Sequence, residues 1–262
     1  VYGLGASALD ESAVARVFAL KGRPSNNPLI VHVTGAVMAR RVVSSWSPDA
    51  EALARAFWPG PLSLVLARGP VLPALVTGGA PGVAVRCPDH PLTLALISAF
   101  NGPVVGPSAN LSGRVSPTTA AHVRESFPAG AVDVLDGGPC RGGIESTVLS
   151  LMGPEPVILR PGLIGAAELS RVLGRPVASP EPRFAEAGAA EPAPSPGMFT
   201  LHYAPATPAV WFRSERWREL EMLARSATRP IVLVTHEERL LAPPHVVIPL
   251  PRDPFQYAQR LY

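Results

Sequence analysis

Lys21-Gly22-Arg23-Pro24 places two cations two residues apart, held by a glycine and a proline. An ammonium and a planar guanidinium at that spacing can grip adjacent oxygens of a phosphate chain, the first as a point charge and the second as a fork. The same pair would equally suit the carboxy-terminus of a helix, where cations complement the dipole. Two further stretches are polar, small and turn-forming: Pro107-Ser108-Ala109-Asn110-Leu111-Ser112-Gly113 and Gly142-Gly143-Ile144-Glu145-Ser146-Thr147. Such loops can offer backbone N–H groups and hydroxyls to an anion, or serve as ordinary connections. Neither G-x-x-x-x-G-K-[ST] nor G-x-G-x-x-G occurs, so a nucleotide site here must be built another way.

Three more polar groups interrupt apolar runs. His32 lies within Leu29–Val33, where a lone histidine is commonly a satisfied core residue. Arg86 lies within Val83–Cys87, and a charge there needs either an internal partner or an anionic ligand. Arg160 ends a third run just before Pro161-Gly162. Basic groups at strand interiors and ends suit ligand sites of α/β proteins. Cys87 and Cys140 lie far apart with no metal-ligand spacing, so no metal-ligating residue is assigned.

The elements that must carry these groups are readable from caps and periodicity. Asp10 can cap a helix bearing Val14, Val17 and Phe18, with Gly22 beyond its end. Ser47-Pro48 opens a second helix, and Pro59-Gly60-Pro61 stops it. Helices are also predicted over Pro91–Phe100, Thr118–Phe127 and Ala166–Leu173. Strands are predicted at Leu29–Val33, Leu62–Ala67, Val83–Cys87, Val104–Val105, Val132–Leu135, Thr147–Leu151 and Val157–Leu159. The interleaving lacks a strict βαβ rhythm, which predicts an α/β fold with a twisted mixed sheet and flanking helices. Proline, 32 residues in all, is densest between Ala178 and Pro208. Residues 178–205 therefore read as a semi-rigid linker dividing a domain at 1–177 from a partial Rossmann-like α/β domain at 206–262. In the latter, Ala209–Phe212, a helix from Ser214, Ile231–Val234 and His245–Leu250 form the expected units.

Composition narrows the class. Hydrophobic residues make up 47% and charged residues 16%, a globular balance. No apolar run is long enough to cross a bilayer. The +3 net charge suits an anionic substrate but is too slight for a dense nucleic-acid-binding stripe. Two unpaired cysteines suit the cytoplasm.

Taken in order, the motifs form a pattern: Val1-Tyr2-Gly3-Leu4-Gly5-Ala6, Lys21-Gly22-Arg23-Pro24, Asn27-Pro28-Leu29-Ile30-Val31-His32, Trp58-Pro59-Gly60-Pro61-Leu62-Ser63 and Val85-Arg86-Cys87-Pro88-Asp89-His90-Pro91. Pro107-Ser108-Ala109-Asn110, Ser116-Pro117-Thr118, Glu145-Ser146-Thr147, Leu159-Arg160-Pro161-Gly162 and His202-Tyr203-Ala204-Pro205 follow. This resembles the YrdC-like threonylcarbamoyl-AMP synthases, and the last motif with the α/β tail resembles their longer, two-domain branch. The resemblance implies a cleft lined by a Lys-x-Arg and a Ser-x-Asn pair, here Lys21, Arg23, Ser108 and Asn110, as the catalytic group. It implies ATP contacts at Arg23, Asn27, Ser108, Ser116 and Arg160, with the linker near His202 covering the nucleotide. Threonine contacts are implied at His32, Arg86 and Ser146 and at the backbone near Gly106. The implied substrates are ATP, L-threonine and bicarbonate, with Mg²⁺ carried by phosphates and water. A separate complex would transfer the product's threonylcarbamoyl group to tRNA, so stable nucleic-acid or membrane binding is not expected. The family has a Pro-Thr-Glu-Thr stretch before the Val-Tyr-Gly-Leu-Gly motif. A first strand and part of the threonine pocket are therefore expected ahead of Val1, and more of the second domain beyond Tyr262. Two other readings compete: a related carbamoyl-transfer domain, against which stands the lack of a cysteine cluster, and a non-catalytic RNA-binding module, against which stands the near balance of 23 basic and 20 acidic residues.

Overall fold

In the computed structural model, residues 1–179, 207–253 and 256–257 are described. The chain starts with β1 (Ala6–Ser7) and α1 (Glu11–Lys21), whose Asp10 side chain accepts from the amides of Ser12 and Ala13. Gly22, in the left-handed region at φ 57°, ends α1 and gives its own N–H to the last turn. β2 (Ile30–His32), α2 (Ala36–Val42) and α3 (Pro48–Phe57) follow; Ser47 caps α3 by accepting from Ala50 N. Next come β3 (Leu62–Ala67), β4 (Gly82–Arg86), α4 (Pro91–Phe100), β5 (Val104–Val105) and α5 (Ala120–Ser126). β6 (Thr147–Ser150), β7 (Val157–Arg160) and α6 (Ala166–Leu173) complete this part.

Seven strands form one sheet in the order β1-β5-β2-β4-β3-β6-β7. β2 runs parallel to β4 and β3 parallel to β6, while the other four pairings are antiparallel. The sheet is therefore mixed, as the irregular interleaving predicts. Val14, Val17 and Phe18 of α1, Leu53 of α3 and Leu169 of α6 bury their apolar stripes against Val31, Leu64, Val85 and Leu149 of the strands. α3 and α6 pack on each other, and α1 packs beside β1. The centre of β3 is buried on both faces, which is why it reads as a continuous apolar run.

Four details differ from expectation. β1 and α2 carry no predictive signal: one has two residues, and the other is a seven-residue helix whose Gly35 cap offers no side-chain hydrogen bond. Val132–Leu135 forms no strand. Val132 and Val134 pack beside Ala109, Val123 and Phe127, so their alternation reflects burial without a ladder partner. Ala209–Phe212 forms no strand either; Val210 and Trp211 are mostly exposed and join no described strand. The parallel pair beyond residue 207 is instead β8 (Val232–Thr235) with β9 (Val246–Pro249), both following α7 (Trp217–Ser226). Most of the linker at 178–205 lies outside the described residues, including His202; Ala178 bridges to Val157 at the sheet edge. No described helix is long and apolar enough to cross a membrane.

Candidate functional site

The end of α1, the loop after β5 and the segment before β6 converge on one cleft. Lys21, in the last turn of α1, is only 2% exposed. Its Nζ donates to the carbonyls of Ser108 and Asn110, and its own carbonyl accepts from Ser112 N at 2.8 Å. The lysine thus pins the 108–112 loop to the helix end. Asn110 continues the pinning: Nδ2 donates to the carbonyls of Leu111 (2.9 Å) and Arg114 (2.8 Å). Burial, with Arg23 beside it, pushes the Lys21 ammonium down to about 7, while Glu145 pulls the other way.

Arg23 turns onto the segment leading into β2. Nε donates to Asn27 O at 3.1 Å, and Nη2 donates to Asn27 Oδ1 at 2.5 Å and Pro28 O at 2.7 Å. Asn27 is itself buried. The Lys-x-Arg pair is therefore a helix terminus as well as a charged wall, so the two readings of its spacing are compatible.

Arg86 closes β4 directly across from His32 in the parallel β2–β4 register. Its Nε donates to Gly60 O at 2.9 Å, which uses one side of the guanidinium on the Pro59-Gly60-Pro61 corner. Burial, with Arg160 opposing the charge, lowers it to about 10; Asp89 and Glu145 act in the opposite direction. Burial and then Arg86 hold His32 down to about 3, so it is a neutral imidazole. Its ring lies against the backbone of Gly106. A Cβ at that position would come within 2.7 Å of His32 Nδ1, so only glycine admits the contact. Among the described residues His32 Nδ1 and Asn110 Oδ1 are buried without a hydrogen-bond partner, although the backbone of Ile30 also bears on the imidazole, and such atoms call for a ligand or water.

Arg160, ending β7, donates Nε (3.2 Å) and Nη2 (2.9 Å) to the carbonyl of Ser146, with Nη2 also 3.3 Å from Ser146 Oγ. Ser146 Oγ shares a 2.8 Å hydrogen bond with Ser63 Oγ of β3. Gly162 lets the Arg160-Pro161-Gly162 turn approach this segment. A Cβ there would stand 2.4 Å from Thr147 N and 2.8 Å from Glu145 O. Ser116, also buried, donates from Oγ to Glu145 Oε1 at 2.5 Å. Ser108, Asn110 and Ser116 thus lie on one loop, Lys21 and Arg23 at its base, and Ser146 and Arg160 on the facing segment.

His202, the remaining sequence candidate, lies outside the described residues. Sequence reasoning passed over three groups that build the cleft. Tyr2 donates from OH to Gly138 O at 2.8 Å, and its carbonyl accepts from Ala109 N at 2.8 Å. Ser63 carries Ser146. Glu145 accepts from Ser116 at 2.5 Å, and its charge favours the charged forms of Lys21 and Arg86. Glu145 stood inside a noted motif, but nothing in its spacing shows that a carboxylate would bear on those cations. Among the described residues, no group of three or more histidines, cysteines and carboxylates could hold a metal.

Comparison with known proteins places this cleft in context. A family model described as Sua5/YciO/YrdC, telomere recombination, matches residues 1–162. A second, described as threonylcarbamoyl-AMP synthase, C-terminal domain, matches residues 164–262. A threonylcarbamoyl-AMP synthase of Pyrococcus abyssi is 44% identical over 80% of this chain and 61% of its own length. One of Bacillus subtilis is 40% identical over 91% of this chain and 69% of its own. The chain thus spans about three-fifths of the archaeal relative's length. The crystal structure of P. abyssi Sua5 complexed with L-threonine superposes with a TM-score of 0.88 at 38% identity, covering 100% of this chain and 77% of that one.

Proposed function

Since this chain belongs to the Sua5/YciO/YrdC family, we propose that it joins L-threonine, bicarbonate and ATP into threonylcarbamoyl-AMP and pyrophosphate, the activated intermediate for tRNA modification. The observation that carries this reading is that two buried polar atoms with no hydrogen-bond partner among the described residues, His32 Nδ1 and Asn110 Oδ1, lie in the same region as Lys21, Arg23, Arg86 and Arg160. Such a site favours a ligand with two separated anionic groups and polar atoms between them. An amino acid joined to a nucleotide has that form, and P. abyssi Sua5 takes up L-threonine.

In this reading Arg86 spends Nε on Gly60 and turns its remaining N–H groups to the threonine carboxylate. Neutral His32, Ser146 and the backbone at Gly106 receive the rest of the amino acid. Arg23, Asn27, Ser108, Ser116 and Arg160, together with His202, hold ATP. Lys21, Arg23, Ser108 and Asn110 form the catalytic group by fixing the loop and stabilising charge on the transferred phosphate.

The threonine amine attacks bicarbonate carbon and water leaves, giving N-carboxy-threonine. Its carbamate oxygen then attacks the α-phosphorus as the bond to the bridging oxygen breaks, and pyrophosphate departs with that electron pair. No protein nucleophile is required, so positioning and charge stabilisation supply the acceleration. In this reading Mg²⁺ is carried by the triphosphate and water, and when bound it would neutralise phosphate charge. The product would pass to a separate tRNA-modifying complex in the cytoplasm, without stable nucleic-acid binding by this chain.

Threonine-dependent pyrophosphate release, with mass detection of the threonylcarbamoyl adenylate, tests the reading. Release that ignores threonine, or that leaves no such adenylate, overturns it.

A further inference from the structure

Lys21 is the sole lysine in a chain with 22 arginines, and it is almost wholly buried. An ammonium in that position must be supported. Two carbonyls of the 108–110 loop accept from it. The charges that bear on it among the described residues are Arg23, just beyond α1 and opposing, and Glu145, before β6 and supporting.

Glu145 sits on an anchored stretch. Its neighbour Ser146 is held by Ser63 and Arg160. Thr147 N donates to Pro61 O at 3.0 Å, and Thr147 Oγ1 both donates to Ile164 O at 2.8 Å and accepts from Ile164 N at 3.1 Å. Gly162 runs so close that a Cβ there would stand 2.8 Å from the carbonyl oxygen of Glu145. From that base the carboxylate reaches across to accept from Ser116. Lys21 and Glu145 therefore hold the same loop at its two ends, one by Ser108 and Asn110 and the other by Ser116.

We propose that Glu145 is a positioning residue of this site: its carboxylate fixes Ser116 at one end of the loop that Lys21 clamps at Ser108 and Asn110. The inference rests on the proposed adenylate-forming reading for its catalytic consequence, but its structural core does not need substrate. The loop is a nucleotide cradle in that reading, so its two clamps decide whether Ser108, Asn110 and Ser116 stand ready before ATP arrives. A carboxylate in a site built for anions would otherwise repel its substrate; as an internal counter-ion it offsets the mutual repulsion of buried cations while the cleft is empty.

Carbon-13 labelling of lysine, with Lys21→Arg to assign the ε-carbon resonance, lets a pH titration without substrate read Lys21. Glu145→Gln keeps an acceptor for Ser116 and removes the charge. Its Lys21 midpoint should fall by about half a pH unit or more. The alkaline limb of threonine-dependent pyrophosphate release should move down with it. Glu145→Asp should restore much of the midpoint, which separates charge from general damage to the fold. Glu145→Ala, lacking both charge and acceptor, should also speed amide exchange across 108–116. Amide exchange across 108–116 that is unchanged in folded Glu145→Ala overturns the proposal, whether or not the chain makes adenylate. Faster exchange with no pyrophosphate release in the parent protein supports the clamp and removes the adenylate reading instead.

Discussion

Arg86 is held by a single side of its guanidinium, and the consequence can be measured. Lysine at that position would keep a charge but lose the fork and the bond to Gly60 O. Arg86→Lys should therefore weaken threonine binding about ten- to a hundred-fold, the equivalent of one lost charge-assisted contact. ATP binding should change far less, and calorimetry with each ligand alone distinguishes the two. Equal losses would assign Arg86 to the structure and not to threonine. Lys21 gives a pH prediction. Its folded value of about 7 lies below the ordinary lysine value. Between those two pH values the unfolded chain binds the extra proton, so stability should rise with pH over that window. Activity should run the other way, because the ammonium that clamps the loop is lost as pH climbs past about 7. Lys21→Ala should remove the opposing trends together, and thermal melts paired with rate profiles from neutral to alkaline pH would show it. Neither residue's role was legible from type alone. Lys21 looked like a phosphate grip, yet its Nζ also carries two backbone carbonyls brought in from a loop remote in sequence.

At the scale of elements, the Arg160-Pro161-Gly162 turn and the 145–147 segment work as one piece. Their approach is so close that Gly162→Ala would force Cβ against Thr147 N. Overpacking of this kind costs roughly 1–3 kcal/mol. It should also displace Glu145 and Ser146, so threonine and ATP binding should both fall. A stability loss with both affinities intact would show that the segment adjusts without disturbing the cleft. By contrast, Ser47→Ala removes only the cap of α3. It should cost about 1 kcal/mol and leave both affinities unchanged, because α3 meets the core through Leu53 and α6 and carries none of the proposed contacts. Caps such as Asp10 and Ser47 were legible because they act on amides two or three residues away. β1 and α2 were not, since a two-residue strand exists only by virtue of its pairing with β5.

For the molecule as a whole, the sheet order and strand directions put the ends of β2, β4 and β7 and the start of β6, which carry or adjoin His32, Arg86, Arg160 and Ser146, along one edge of the sheet. If threonine and ATP occupy adjoining parts of it, each should stabilise the fold, and both together should raise the melting temperature most. Linkage gives a scale of about 2.7 kcal/mol for a ligand at a hundred times its dissociation constant. Scanning calorimetry with each ligand and with both would check it; no shift with either would deny the cleft its ligands.

The sequence by itself determined most elements, because helix stops, caps and apolar periodicity act over a few residues. It also determined the family, because ordered motifs such as Lys21-Gly22-Arg23 and Pro107-Ser108-Ala109-Asn110 survive as short words. Only the tertiary structure decided that Val132–Leu135 stays out of the sheet, for lack of a neighbouring strand. It alone brought Glu145 to Ser116 and Lys21 onto Ser108 and Asn110. Those contacts join positions whose separation along the chain carries no periodic signal, and they depend on a sheet order that short-range propensity does not encode.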